Sequence, residues 1–149
     1  MNLSEHFTLE EFVFSETAVR LGIDNNPSPE IQEHLKVVAT NLETVRTLLG
    51  TPIRITSGYR SVALNAKIPG SSNTSAHTLG WAADFVSPQF GTPLQVCQKV
   101  AASGIKYDQM IHEFGTWTHL SFDTRMRQMD LTIWKGSGGY KPGIIPIPS

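Results

Sequence analysis

Gln109-Met110-Ile111-His112-Glu113-Phe114-Gly115-Thr116-Trp117-Thr118-His119-Leu120-Ser121-Phe122 reads as two short strands joined by a Gly-centred turn, and this hairpin decides the fold. Side chains alternate between the faces of a strand, so Trp117, His119 and Ser121 share one face. Where Glu113 points depends on the turn. A three-residue loop of Phe114, Gly115 and Thr116 sets Glu113 opposite Trp117, on the His119 face. A two-residue turn at Gly115-Thr116 pairs Glu113 with Thr118 instead and turns it away. The sequence leaves both open. His112 alternates with Ile111 and Glu113, which gives it the face opposite Glu113.

Upstream of the hairpin, helix signals dominate. Thr8-Leu9-Glu10-Glu11 is a capping box. Ser15 can cap a second short helix that ends at Gly22, and Ser28-Pro29 opens a third. Ile31, Leu35, Val38, Leu42, Val45 and Leu49 then recur at steps of three and four, so a long amphipathic helix runs to Gly50. Phe7, Phe12 and Phe14 form an aromatic stripe expected in the core. Residues 53–56 alternate as a short strand, 62–67 suit a short helix, and 69–74 are a loop by composition. Residues 81–86 read as a strand. Thr92-Pro93 starts a helix carrying Cys97 on its apolar face and stopping at Gly104, and 131–134 suit a last strand. The expected fold is α+β, with helices on one face of a small antiparallel sheet.

The 149 residues suit one domain, and 40% apolar residues suffice for a core without staples. Twelve basic and thirteen acidic residues leave a net charge of −1, which argues against a nucleic-acid partner. A lone cysteine excludes an internal disulfide framework and a multi-Cys metal site. No apolar run is long enough to span a bilayer, and the first residues lack the pattern of a secretory signal. The expectation is a protein without membrane insertion, made in the cytosol.

Three segments concentrate side chains that packing alone does not require: Ser57-Gly58-Tyr59-Arg60, Ser75 through Asp84, and Ile111 through His119. A hydrolytic zinc site needs three N or O ligands, a carboxylate to take a proton from water, and a cation for developing charge. His77, Asp84 and His119 can be the ligands, Glu113 the base and Arg60 the cation. Small Ala82 and Ala83 leave room for close approach beside Asp84. The other histidines have ordinary readings: His34 beside charged helix neighbours, His6 near the amino end. Trp81 and Trp117 can serve simple packing, and Arg60 could be a surface turn residue.

The ordered set Ser75-x-His77-x-x-Gly80-x-Ala82-x-Asp84, then Glu113, then Trp117-x-His119 resembles the zinc D-Ala-D-Ala carboxypeptidase and phage endolysin family. The wider group includes lysostaphin-type peptidases and the hedgehog zinc domain. The similarity runs from Phe7-Thr8-Leu9-Glu10-Glu11-Phe12 through Ser57-Gly58-Tyr59-Arg60-Ser61 to Trp117-Thr118-His119-Leu120-Ser121-Phe122. It implies zinc on His77, Asp84 and His119, Glu113 as base, Arg60 against the scissile carbonyl or a nearby carboxylate, and Ser75 and Trp117 as substrate contacts. Relatives often carry a His or a carboxylate just before the last ligand, where this chain has Thr116 and Trp117. The base must then come from Glu113, six residues upstream of the last ligand His119, or the activity is altered.

The implied activity is hydrolysis of an amide bond in the peptide stem of bacterial peptidoglycan, by a monomeric phage or prophage endolysin reaching the wall after holin-assisted release. Residues 1–50 would then be a helical part, 51–135 the catalytic core and 136–149 an irregular tail. The alternatives are an inactive wall-binding or virion structural protein, and a small D-Ala-D-Ala dipeptidase or carboxypeptidase.

Overall fold

A computed structural model describes residues 1–69, 71 and 75–148. The sequence-predicted loop at 69–74 therefore lies mostly outside the described residues. Helices α1 (Leu9–Val13), α2 (Glu16–Leu21) and α3 (Pro29–Leu49) come first. Each begins where its cap predicts: the Thr8, Ser15 and Ser28 hydroxyls accept from first-turn amides, and Glu11 closes the capping box. Gly22 and Gly50 end α2 and α3 in the left-handed conformation. Leu35, Val38, Leu42 and Val45 of α3 are fully buried, each stabilising the fold by about 1.5–3 kcal/mol on leaving water. Phe7 and Phe12 join this core. Phe14 does not: it is 64% exposed, because α1 stops at Val13 and Phe14 turns outward in extended backbone.

Strands β1 (Arg54–Ser57), β2 (Ala82–Val86), β3 (Gln109–Glu113), β4 (Trp117–Ser121), β5 (Met129–Ile133) and β6 (Lys141–Pro142) form one sheet in the order β1-β2-β4-β3-β5-β6. Helix α4 (Val62–Asn65) follows β1, and α5 (Pro93–Ala101) follows β2. The fold is α+β as expected, but the sheet is mixed, not antiparallel, since β5 runs parallel to β3. The cause is topological. Strand β4 is paired on both edges, by β2 and β3, and ends at Ser121 beside Gln109, so the short connection that turns the chain back lays β5 along β3 in the same direction. Asp108 fixes that crossing: its carboxylate takes the Arg127 guanidinium at 2.8 and 2.9 Å, and its carbonyl accepts from the Met129 amide. The tail is also less irregular than expected, because β6 adds a short rung to β5.

The hairpin register resolves the open question. Glu113 stands opposite Trp117, across a three-residue loop in which Phe114 (φ 57°) and Gly115 (φ 70°) are left-handed. One sheet face therefore carries Ala83, Phe85, Met110 and Leu120 into the core beneath α3 and α5. The other carries Asp84, His119, Trp117, Glu113 and Ile111.

Candidate active site

The second face of the sheet floors a cleft of about 390 Å³. Asp84 and His119 are direct cross-strand partners on β2 and β4, which sets their side chains together. His77 comes from a 3₁₀ turn, Ala76–Leu79. The Ser75 hydroxyl caps this turn, and Gly80 ends it at φ 75°; a Cβ there would meet the Ile31 side chain at 2.8 Å. His77 Nε2 lies 3.3 Å from the Asp84 carboxylate and His119 Nδ1 lies 2.9 Å from it. One ligand atom from each of the three residues falls within 4.8 Å of the others, and all three side chains are buried. Two imidazoles and a carboxylate are a donor set suited to a transition metal. The His77 Nδ1–H donates to the Gly58 carbonyl at 2.6 Å, which fixes the tautomer and leaves Nε2 free to ligate. Burial works to raise the Asp84 pKa, but the two neighbouring histidines outweigh it and hold the carboxylate ionised.

Glu113 enters from β3, its carboxylate 3.8 Å from His119 Nδ1. Burial and the charge of Asp84 push its pKa up to about 7. That value suits a group that must both take and give a proton near neutrality. Arg60 lines the same cleft. Its amide donates to the His77 carbonyl, and its buried Nε–H has no hydrogen-bond partner among the described residues. Burial lowers the Arg60 pKa, opposed by Asp84 and Glu113. Ser75 and Trp117 also line the cleft, the Trp117 indole N–H buried beside Glu113 but outside hydrogen-bonding geometry.

A family model for peptidase M15 matches residues 5–121, most of the chain and every residue of this cluster. The chain belongs to the peptidase M15 family. A search of curated proteins finds no significant match. M15 peptidases are metal-dependent metallopeptidases, and His77, Asp84 and His119 are the group among the described residues that could hold the ion.

The remaining histidines of this M15 peptidase are placed elsewhere. His112 is buried on the opposite sheet face and donates to the Ile145 carbonyl. His6 sits 2.6 Å from Glu43. His34 stacks on Trp81 with ring centroids 3.9 Å apart and donates to the Leu79 carbonyl, pinning the His77 turn to α3.

Two supports of the M15 site escaped the sequence reading. Asn25 grips three backbone groups, donating to the Val13 and Tyr59 carbonyls and accepting from the Ser61 amide, and so holds the segment bearing Gly58 and Arg60. Gly58 itself packs against the Phe12 backbone, where a Cβ would come within 2.4 Å of the carbonyl oxygen. Nothing local marks Asn25, because its partners lie 12 to 36 residues away.

Proposed function

We propose that this M15 peptidase uses zinc to hydrolyse an amide bond in the peptide stem of bacterial peptidoglycan, as a phage or prophage endolysin with the α+β arrangement of the D-Ala-D-Ala peptidase and hedgehog zinc-domain group. The observation that carries this reading is the register of the β3–β4 hairpin. It turns Glu113 onto the face of the His77, Asp84 and His119 cluster, and Arg60 lines the same cleft. His77, Asp84 and His119 would hold the ion. Bound zinc supplies Lewis-acid activation of a water and of the scissile carbonyl.

The chain's own groups do the rest. Glu113 accepts the proton of the attacking water and passes it to the leaving amine. Arg60, whose buried Nε–H has no partner among the described residues, offsets negative charge developing on the carbonyl oxygen or pairs with a nearby substrate carboxylate. Ser75 and Trp117 contact the peptide. In this reading the protein is a monomer that reaches the wall after holin-assisted release. The test is digestion of purified peptidoglycan by the zinc-loaded protein, with identification of the new amino termini. Release that stops on chelation and returns with zinc supports the reading. No new amino terminus under zinc saturation overturns it.

A further inference from the structure

Beyond Glu113 the cleft changes character. On the site face, Asp84, His119, Ile111 and Leu131 form one row across β2, β4, β3 and β5. Trp117, Glu113 and Ile133 form the next, and the β5–β6 register continued by one residue sets Tyr140 beside Ile133. Neighbouring strands are about 4.8 Å apart, so Ile111 lies about 5 Å and Leu131 about 10 Å across the sheet from His119. An extended peptide advances about 3.3–3.6 Å per residue. A substrate centred on the metal-capable cluster and running toward β5 therefore lays its first three residues over this floor.

The charged lining residues of the cleft, Arg60, His77, Asp84, Glu113 and His119, all lie at or before the β3 row. The floor past them is Ile111, Leu131 and Ile133, rimmed by Phe114, Tyr140 and the uncharged Gln109.

We propose that this floor over β3 and β5 is an apolar subsite that takes an uncharged aliphatic segment of the peptide on one flank of the scissile bond. The proposal rests on the peptidase reading above and adds a substrate class to it. A charged side chain placed here would lose hydration over a floor of Ile111, Leu131 and Ile133, and the charged lining residue carried by these two strands is Glu113, the base itself. The subsite is also built in advance. The Thr132 hydroxyl donates to the Gly143 carbonyl and accepts from the Ile145 amide, while the Gly143 amide donates to the Asp130 carbonyl. These bonds tie the segment bearing Tyr140 to β5. Both β5 and β6 lie outside the residues that the family model matches, so this wall comes from the part of the chain beyond the family pattern.

The test is methyl NMR of the full, zinc-loaded chain carrying Glu113→Gln to slow turnover, titrated with soluble stem peptides released from purified peptidoglycan. The expected result is progressive shifts of the Ile111, Leu131 and Ile133 methyls, and binding at least about tenfold weaker in a Leu131→Lys chain. A thermal melt of Leu131→Lys separates lost binding from lost fold, and the methyl shifts do not depend on that variant. Saturable binding that leaves the three methyls unmoved overturns the proposal, as does unchanged affinity in a folded Leu131→Lys chain. If the methyls shift but the unsubstituted enzyme frees no amino terminus, the subsite stands and the peptidase reading falls. If no stem peptide binds, both fall.

Discussion

Replacing Gly58 by alanine tests how the His77 ligand is held. The added Cβ would lie 2.4 Å from the Phe12 carbonyl oxygen and 2.8 and 2.9 Å from the Phe12 Cα and carbonyl carbon. All three are backbone atoms, so no side chain can swing aside and the two segments must separate. Overpacking of this kind typically costs about 1–3 kcal/mol. At about 2–4 °C per kcal/mol for a chain of this size, the melting temperature should fall by about 2–12 °C. The separation also moves the Gly58 carbonyl, which accepts the Nδ1–H of His77. Disturbing such an outer partner typically weakens metal binding by about 10–100-fold. Thermal melts and competitive zinc titration of the same preparation measure both effects. A Gly58→Ala protein with wild-type melting temperature and zinc affinity would refute the close-approach account. Lost stability with unchanged affinity would refute only the claim that the carbonyl orients His77.

Arg60→Lys should reduce hydrolysis of peptidoglycan by about tenfold or more while leaving zinc content near wild type, because an ammonium replaces a planar two-donor group with a point charge. Unchanged turnover would return Arg60 to a surface-turn role. Asp108 titrates with a lowered pKa, held down first by its hydrogen bond from the Arg127 side chain. Its folded value lies below its unfolded value near 3.9, so the pair contributes stability above about pH 4 that is lost as pH falls through the folded value. Asp108→Asn should therefore lower the melting temperature at pH 7 and flatten the acid limb of stability against pH; a parallel downward shift at all pH values would contradict this. Burial, opposed by a hydrogen bond from Thr118, pushes the Cys97 thiol up to about 12. Native protein should accordingly resist thiol alkylation at pH 8, and labelling as fast as in urea would be the opposite result.

What the sequence disclosed was mostly local. Capping hydroxyls at Thr8, Ser15, Ser28 and Thr92 and the three-four spacing along α3 act within a turn or two of helix, so their readings needed no tertiary knowledge. The side chains expected in the site were legible from an ordered motif set and its family resemblance: His77, Asp84, Glu113, His119 and Arg60 all line one cleft. The misses were non-local. Parallel pairing of β5 with β3 follows from where β4 ends in the sheet and how the chain turns back from it, which no local pattern records. Phe14 carries the same hydrophobicity as Phe12, and only the end of α1 decides that one is buried and the other exposed. The Glu113 face hung on one residue of loop length, since a shift of one register position turns every side chain over. Asn25 and Gly58 act through backbone groups, so their residue types gave no chemical signal.

In the proposed mechanism Glu113 is the proton acceptor and His77, Asp84 and His119 hold the metal. Glu113→Gln is nearly isosteric and removes that acceptor alone. The most direct measurement is kcat for peptidoglycan digestion by Glu113→Gln, with zinc content determined on the same preparation. A general base typically contributes about 10²–10⁴-fold, so kcat should fall at least about a hundredfold while zinc stays at one ion per chain. Full activity with zinc retained would contradict the role of Glu113, and loss of zinc would contradict the division between ligands and base.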